Sequence, residues 1–151
     1  MNLHHLRVLG GMVGLLLLPA CLNQDVHYYE VQMTGSIEAP AHPDSTEIVY
    51  LTVYHAVSGE DMLAHPLEFI GSTEALLGTL DYAFLYPLDN GEGLVVFGWL
   101  DVDGDGIYCT AQETREDVGG LVEVTDFPAH SVSLRLSLTE ACTGPEGLYP
   151  K

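Results

Sequence analysis

Residues 131–138 alternate strictly. Val132, Leu134, Leu136 and Leu138 fall on one side of an extended chain, and Ser131, Ser133, Arg135 and Ser137 on the other. A period of two sends successive side chains to opposite faces, so this stretch predicts a half-buried strand. Leu80, Tyr82, Phe84 and Tyr86 alternate with Asp81, Ala83 and Leu85 in the same way, and Pro87 ends the run. Glu47 to Val57 is dense in β-branched and aromatic residues and predicts a central strand. Residues 94–100 are apolar on both faces, which again predicts a central position. The intervening Asp89-Asn90-Gly91-Glu92-Gly93 has hairpin-turn chemistry, so 94–100 reads as the strand returning from 80–86. Shorter strand signals lie at 27–38, 65–70 and 121–124, the last preceded by Gly119-Gly120. Two prolines mark 39–44 as a loop. Thr73–Leu77 predicts one helical turn, and residues 143–151 read as a tail. Roughly seven short strands with turn signals between them predict an all-β fold, an antiparallel β-sandwich spanning 27–142.

The N-terminus follows a different pattern. Residues 1–7 carry Arg7, two histidines and no acid, and 8–18 are apolar apart from three glycines. A basic start, a short apolar stretch and a small residue before a cut describe a secretory signal. The run falls short of the roughly 20 apolar residues that span a bilayer core. Its end, Leu18-Pro19-Ala20-Cys21, resembles the lipobox of bacterial lipoproteins, with Pro19 where Ala, Ser or Thr is commoner. That resemblance implies a signal-peptide helix over 1–20, removal of that segment, lipid on Cys21 and a tether over 21–26. It places the protein in the bacterial cell envelope, lipid-anchored to a membrane. Leu22, in place of the Asp that often marks inner-membrane retention, points to the outer one. The sandwich itself resembles the immunoglobulin-like or transthyretin-like modules of bacterial surface proteins.

Charge narrows the partners. The chain holds 22 acidic residues against 4 Lys and Arg, a net charge of −18. Cleavage before Cys21 leaves three strong bases, Arg115, Arg135 and Lys151, against all 22 acids, a formal charge of −19. Such a surface repels nucleic-acid phosphates and anionic headgroups and suits divalent cations or basic partners. The same acidity also confers solubility with no partner at all. With Cys21 assigned to lipid, Cys109 and Cys142 remain, and an even pair in an oxidising compartment predicts a disulfide. Closing a loop of about 34 residues in this way is worth about 3.7 kcal/mol in the chain-entropy description.

The chemistry concentrates in Asp101-Val102-Asp103-Gly104-Asp105-Gly106. Three alternating carboxylates on a tight turn offer the hard oxygens that calcium takes at about 2.3–2.6 Å. The run resembles the first half of an EF-hand loop. The match implies Asp101, Asp103 and Asp105 as ligands, with the Ile107 carbonyl as a fourth. The second half departs: Gln112 occupies the position of the bidentate Glu, and Glu113 comes one residue late. No helix precedes the loop. The run looks more like the calcium loops joining strands in bacterial surface β-domains, where Glu113, Glu116 or Asp117 would complete the shell. Asp-Gly-Asp-Gly also makes a good turn with no ion, but three carboxylates this close repel one another without a cation. An incomplete shell implies weak, extracellular-range affinity, about 10⁻⁴–10⁻³ M.

No catalytic pattern competes with this loop. His27, His42, His55, His65 and His130 lack metal-ligand spacing, with His55 expected on a strand face or in the core. Neither a nucleophile elbow nor a phosphate-cradling glycine loop occurs. Trp99 is expected in the core at a strand end, with an exposed sugar-stacking role as the sharper alternative. The leading expectation is a calcium-stabilised, non-enzymatic binding or structural module. The alternatives are a metal-dependent hydrolase built on the Asp101–Asp105 loop, and a carrier whose cavity is lined by Tyr28, Tyr29, Tyr50, Tyr54, Tyr82 and Tyr86.

Overall fold

The computed structural model of the chain describes residues 27–59, 62–87, 93–109 and 117–149. The signal segment, Cys21 and the tether, residues 89–92 of the expected hairpin turn, and Gln112, Glu113 and Glu116 lie outside them. In chain order the strands are β1 (Tyr28–Glu38), β2 (Val49–Gly59), β3 (Met62–Ala75), β4 (Gly78–Pro87), β5 (Leu94–Leu100), β6 (Val118–Val124), β7 (Ser131–Ser137) and β8 (Glu140–Ala141). A short helix, α1 (Pro145–Leu148), follows. One sheet has the order β4-β1-β7 and the other β3-β2-β5-β6-β8. The fold is the expected all-β sandwich.

Alternation decides which face of each strand is buried. In β7 every second residue is buried, and Leu134 and Leu136 meet Val31, Met33 and Ile37 of β1 and Val49, Leu51 and Val53 of β2 in one core between the sheets. Beside them, His55 and Tyr86 join the two sheets. The Tyr86 hydroxyl lies 2.7 Å from His55 Nδ1, with His55 3% exposed. Hydrogen bonding is the condition for a histidine to be stable there, since an unpaired buried polar group costs about 1–3 kcal/mol. Burial also drives the Tyr86 phenol pKa far above its ordinary value, reinforced by Tyr29 and Glu68. The six tyrosines considered as a cavity lining do not converge. Tyr86 is in the core, Tyr28 is exposed, and Tyr50 and Tyr54 lie on the outer face of the five-stranded sheet.

Several local expectations give way to sheet pairing. The predicted hairpin fails because β4 pairs with β1 whereas β5 pairs with β2 and β6. β4 and β5 therefore belong to different sheets. β5 is central, as its two apolar faces require. The helical turn expected at 73–77 is replaced by the end of β3, where Thr73, Glu74 and Ala75 pair with Leu51, Tyr50 and Val49. A single isolated helical turn leaves most of its backbone groups unpaired, and a neighbouring strand satisfies them. The short strand expected at 65–70 extends over the whole of β3. There Pro66 is tolerated because β3 is an edge, with register shifts in its pairing to β2. Among the described residues all strand pairs are antiparallel except β1 with β7, which run parallel.

Gly119-Gly120, expected just ahead of the strand at 121–124, lies inside β6. A β-carbon at Gly119 would sit 2.6 Å from the Tyr108 hydroxyl, and one at Gly120 2.1 Å from the Ser137 carbonyl. These glycines admit close neighbours rather than bend the chain. The stretch expected as a tail also packs: α1 brings Leu148 and Tyr149 into burial, and Tyr149 joins Ala56 and Val95 in a second apolar cluster on the outer face of the five-stranded sheet. Trp99 faces this same outer side, because Leu94, Val96 and Leu100 take the inward positions of β5. It is therefore not in the inter-sheet core. Its ring stacks on Tyr50 at 4.5 Å and tilts against Tyr108 at 5.1 Å.

Candidate metal centre

The aspartate loop begins where β5 ends. The Asp101 N–H donates to the Ile48 carbonyl, which ties the start of the loop to the approach to β2. From there the backbone wraps around the Asp101 carboxylate. Oδ1 accepts from the N–H groups of Gly104 (2.8 Å) and Asp105 (3.1 Å), and Oδ2 from Gly106 (2.8 Å). Gly104 and Gly106 both have φ of +75°, a left-handed conformation that costs glycine little. Asp103 Oδ1 accepts from the Asp105 N–H at 3.1 Å, and Asp105 Oδ1 from the Ile107 N–H at 2.7 Å. The spacing of acid and glycine thus produces a loop in which each carboxylate caps the turn that follows it.

This wrapping brings together one carboxylate oxygen from each of Asp101, Asp103 and Asp105, all within 4.8 Å of one another. Oxygens that share one calcium ion lie at most about 5 Å apart, so the set has the right span. Asp101 is buried, while Asp103 and Asp105 are exposed at the rim of the sandwich. The charges are felt locally. The Asp105 N–H pulls the Asp103 pKa down. Partial desolvation and the charges of Asp105, Asp117 and Asp101 outweigh it, and the carboxyl stands above the ordinary aspartate value. A cation at the centre of the three would relieve that repulsion.

Two acids take roles the loop spacing does not show. Asp117, a candidate to complete the shell, lies outside the oxygen cluster. Only 2% exposed, it accepts from Val102 N–H at 2.9 Å through Oδ1 and from Cys109 N–H at 3.0 Å through Oδ2. It fastens the two ends of the loop to each other. Glu47 reaches the loop from before β2, its Oε2 3.8 Å from where a β-carbon on Gly104 would be. It is distant in sequence and belongs to no motif, so only the pairing of β2 with β5 reveals it. The Ile107 N–H serves Asp105, as above; Gln112, Glu113 and Glu116 lie outside the described residues.

The loop exit is held as firmly as its start. Cys109 and Cys142 form the expected disulfide, with Cα atoms 5.4 Å apart. Tyr108 lies over Gly119 with its hydroxyl donating to the Thr143 carbonyl at 3.1 Å. The Cys142 N–H donates to the Asp117 carbonyl at 3.2 Å, so the buckle and the bridge act at one place. Among the described residues no helix is long and apolar enough to cross a membrane. Neither family models nor curated proteins match this chain.

Proposed function

We propose that the chain is a bacterial envelope lipoprotein, anchored through lipid on Cys21, whose β-sandwich is a calcium-stabilised, non-enzymatic binding or structural module. The observation that carries the calcium reading is the convergence of Asp101, Asp103 and Asp105 oxygens within 4.8 Å. Asp103 and Asp105 lie at the exposed rim rather than in a cleft, which favours a structural ion over a catalytic one. With a dissociation constant near 1 mM, about 10 mM calcium adds about 1.4 kcal/mol by mass action. Calcium is therefore expected to raise the melting temperature by about 5 °C relative to chelator. Asp103→Ala or Asp105→Ala abolishes the rise. Identical melting curves in calcium and in chelator would remove calcium from the proposal.

The anchor is tested separately. Two or three acyl chains attach a protein stably, whereas none leaves only a weakly held domain that anionic lipid repels. In a bacterial host, the wild-type chain is expected in the membrane fraction and labelled by a fatty-acid analogue. Cys21→Ser should lose the label. A labelled Cys21→Ser protein would place the lipid elsewhere or refute lipidation through the lipobox.

A further inference from the structure

The outer face of the five-stranded sheet carries a row of residues in register. Glu74 of β3 pairs with Tyr50 of β2, Tyr50 with Trp99 of β5, and Trp99 with Gly119 of β6, over which Tyr108 lies. Trp99 is flanked by Tyr50 and Tyr108, so the aromatic run ends at Tyr50 on the side of Glu74. There an open, shallow groove runs along β2 and β3, lined by Tyr50, Thr52, Ser72, Glu74 and Trp99. One end meets the aspartate loop: a β-carbon on Gly106 would lie 3.8 Å from the Tyr50 hydroxyl.

Among the described residues, every charged side chain at this groove is acidic. Glu74 is in it, and Asp101, Asp103, Asp105 and Glu47 lie at its end. The one arginine among the described residues, Arg135, is on β7 in the other sheet. Tyr50 reports the field: its phenol pKa is raised, first by burial and then by the Glu74 and Asp101 charges. An aromatic ring beside a carboxylate suits a planar cation, which lies against the ring face while its N–H groups pair with the acid. A small ligand usually needs a concave site that encloses most of its surface. This groove is too open for that and suits a side chain delivered by a larger surface.

We propose that this groove docks an arginine-bearing segment of a basic protein partner, with the guanidinium against Tyr50 and paired to Glu74. Thr52 and Ser72 supply hydroxyl acceptors for the remaining N–H groups. The site is distinct from the aspartate loop and does not require calcium.

Trp99 is the single tryptophan of the chain, so its emission reports the groove directly. The full chain, in chelator, is titrated with an arginine tetrapeptide and, in parallel, with its citrulline counterpart, which has the same shape and no charge. A saturable change in Trp99 emission is expected with arginine and not with citrulline. Glu74→Gln and Tyr50→Ala should each weaken binding about tenfold, the scale of one charge-assisted contact. Glu30→Gln removes the same charge from the other sheet and should change it less than about twofold. Thermal melts of each variant establish that it is folded. Equal weakening by Glu30→Gln and Glu74→Gln would reduce the effect to general attraction by an acidic protein and overturn the proposal. So would no response to arginine, or a response to a neutral oligosaccharide in its place. Melting in calcium is a separate measurement, so failure here leaves the calcium reading standing and the reverse also holds.

Discussion

Asp117→Ala is expected to destabilise the domain by about 3 kcal/mol, because it deletes two hydrogen bonds to a buried carboxylate. The N–H groups of Val102 and Cys109 lose their acceptor at the two ends of the aspartate loop. For a domain of this size the melting temperature falls by about 10 °C. Asp117→Asn should recover little, since one carboxylate oxygen becomes an NH₂ that faces a backbone donor. Asp126→Ala, at an exposed acid, is the control and should stay within about 0.5 kcal/mol. If Asp117→Ala melts with the control, the loop is held by Asp101 and the disulfide without it.

That role was not legible beforehand, and the reason is general. Alternation reports which face a residue occupies but not what lies opposite. The β7 pattern therefore predicts its buried face residue by residue, and the two apolar faces of β5 predict its central position. The same patterns say nothing of which sheet a strand joins, so a good turn sequence between 80–86 and 94–100 suggests a hairpin where the chain changes sheets. Likewise D-x-D-x-D-G identifies Asp101, Asp103 and Asp105, because their contacts are local. Asp117 and Glu47 act on the loop through tertiary structure alone. Gly119 carries no pattern of its own in the sequence, and the Tyr108 hydroxyl and Phe97 ring that lie against it account for the missing side chain.

Removing the disulfide by Cys109→Ser with Cys142→Ser is the second large effect. The chain-entropy description assigns the bridge about 3.7 kcal/mol. The loss should not be confined to the unfolded state. Cys109 follows Tyr108, which leans on Trp99, and Cys142 precedes Thr143, whose carbonyl accepts from Tyr108. Without the bridge, Tyr108 is expected to leave Trp99 more exposed, and the indole emission should shift to the red in the still-folded protein. A large drop in melting temperature with unchanged emission would confine the bridge to its entropic effect. An unchanged melting temperature would show that the contacts around Asp117 hold the loop exit alone.

The parallel pairing of β1 with β7 has a consequence for how this domain is made. β1 is the middle strand of its sheet, and its second neighbour is β7, nearly the whole domain later in sequence. Until β7 has emerged, β1 is left with one unpaired row of backbone groups, and Met33 and Ile37 lack the Val132, Leu134 and Leu136 side chains that flank them in the core. Closing so long a loop is paid in entropy before any contact rewards it, so such topologies assemble slowly and late. A chain threaded through a membrane N-terminus first would therefore carry this domain across unfinished and complete it only after β7 had followed.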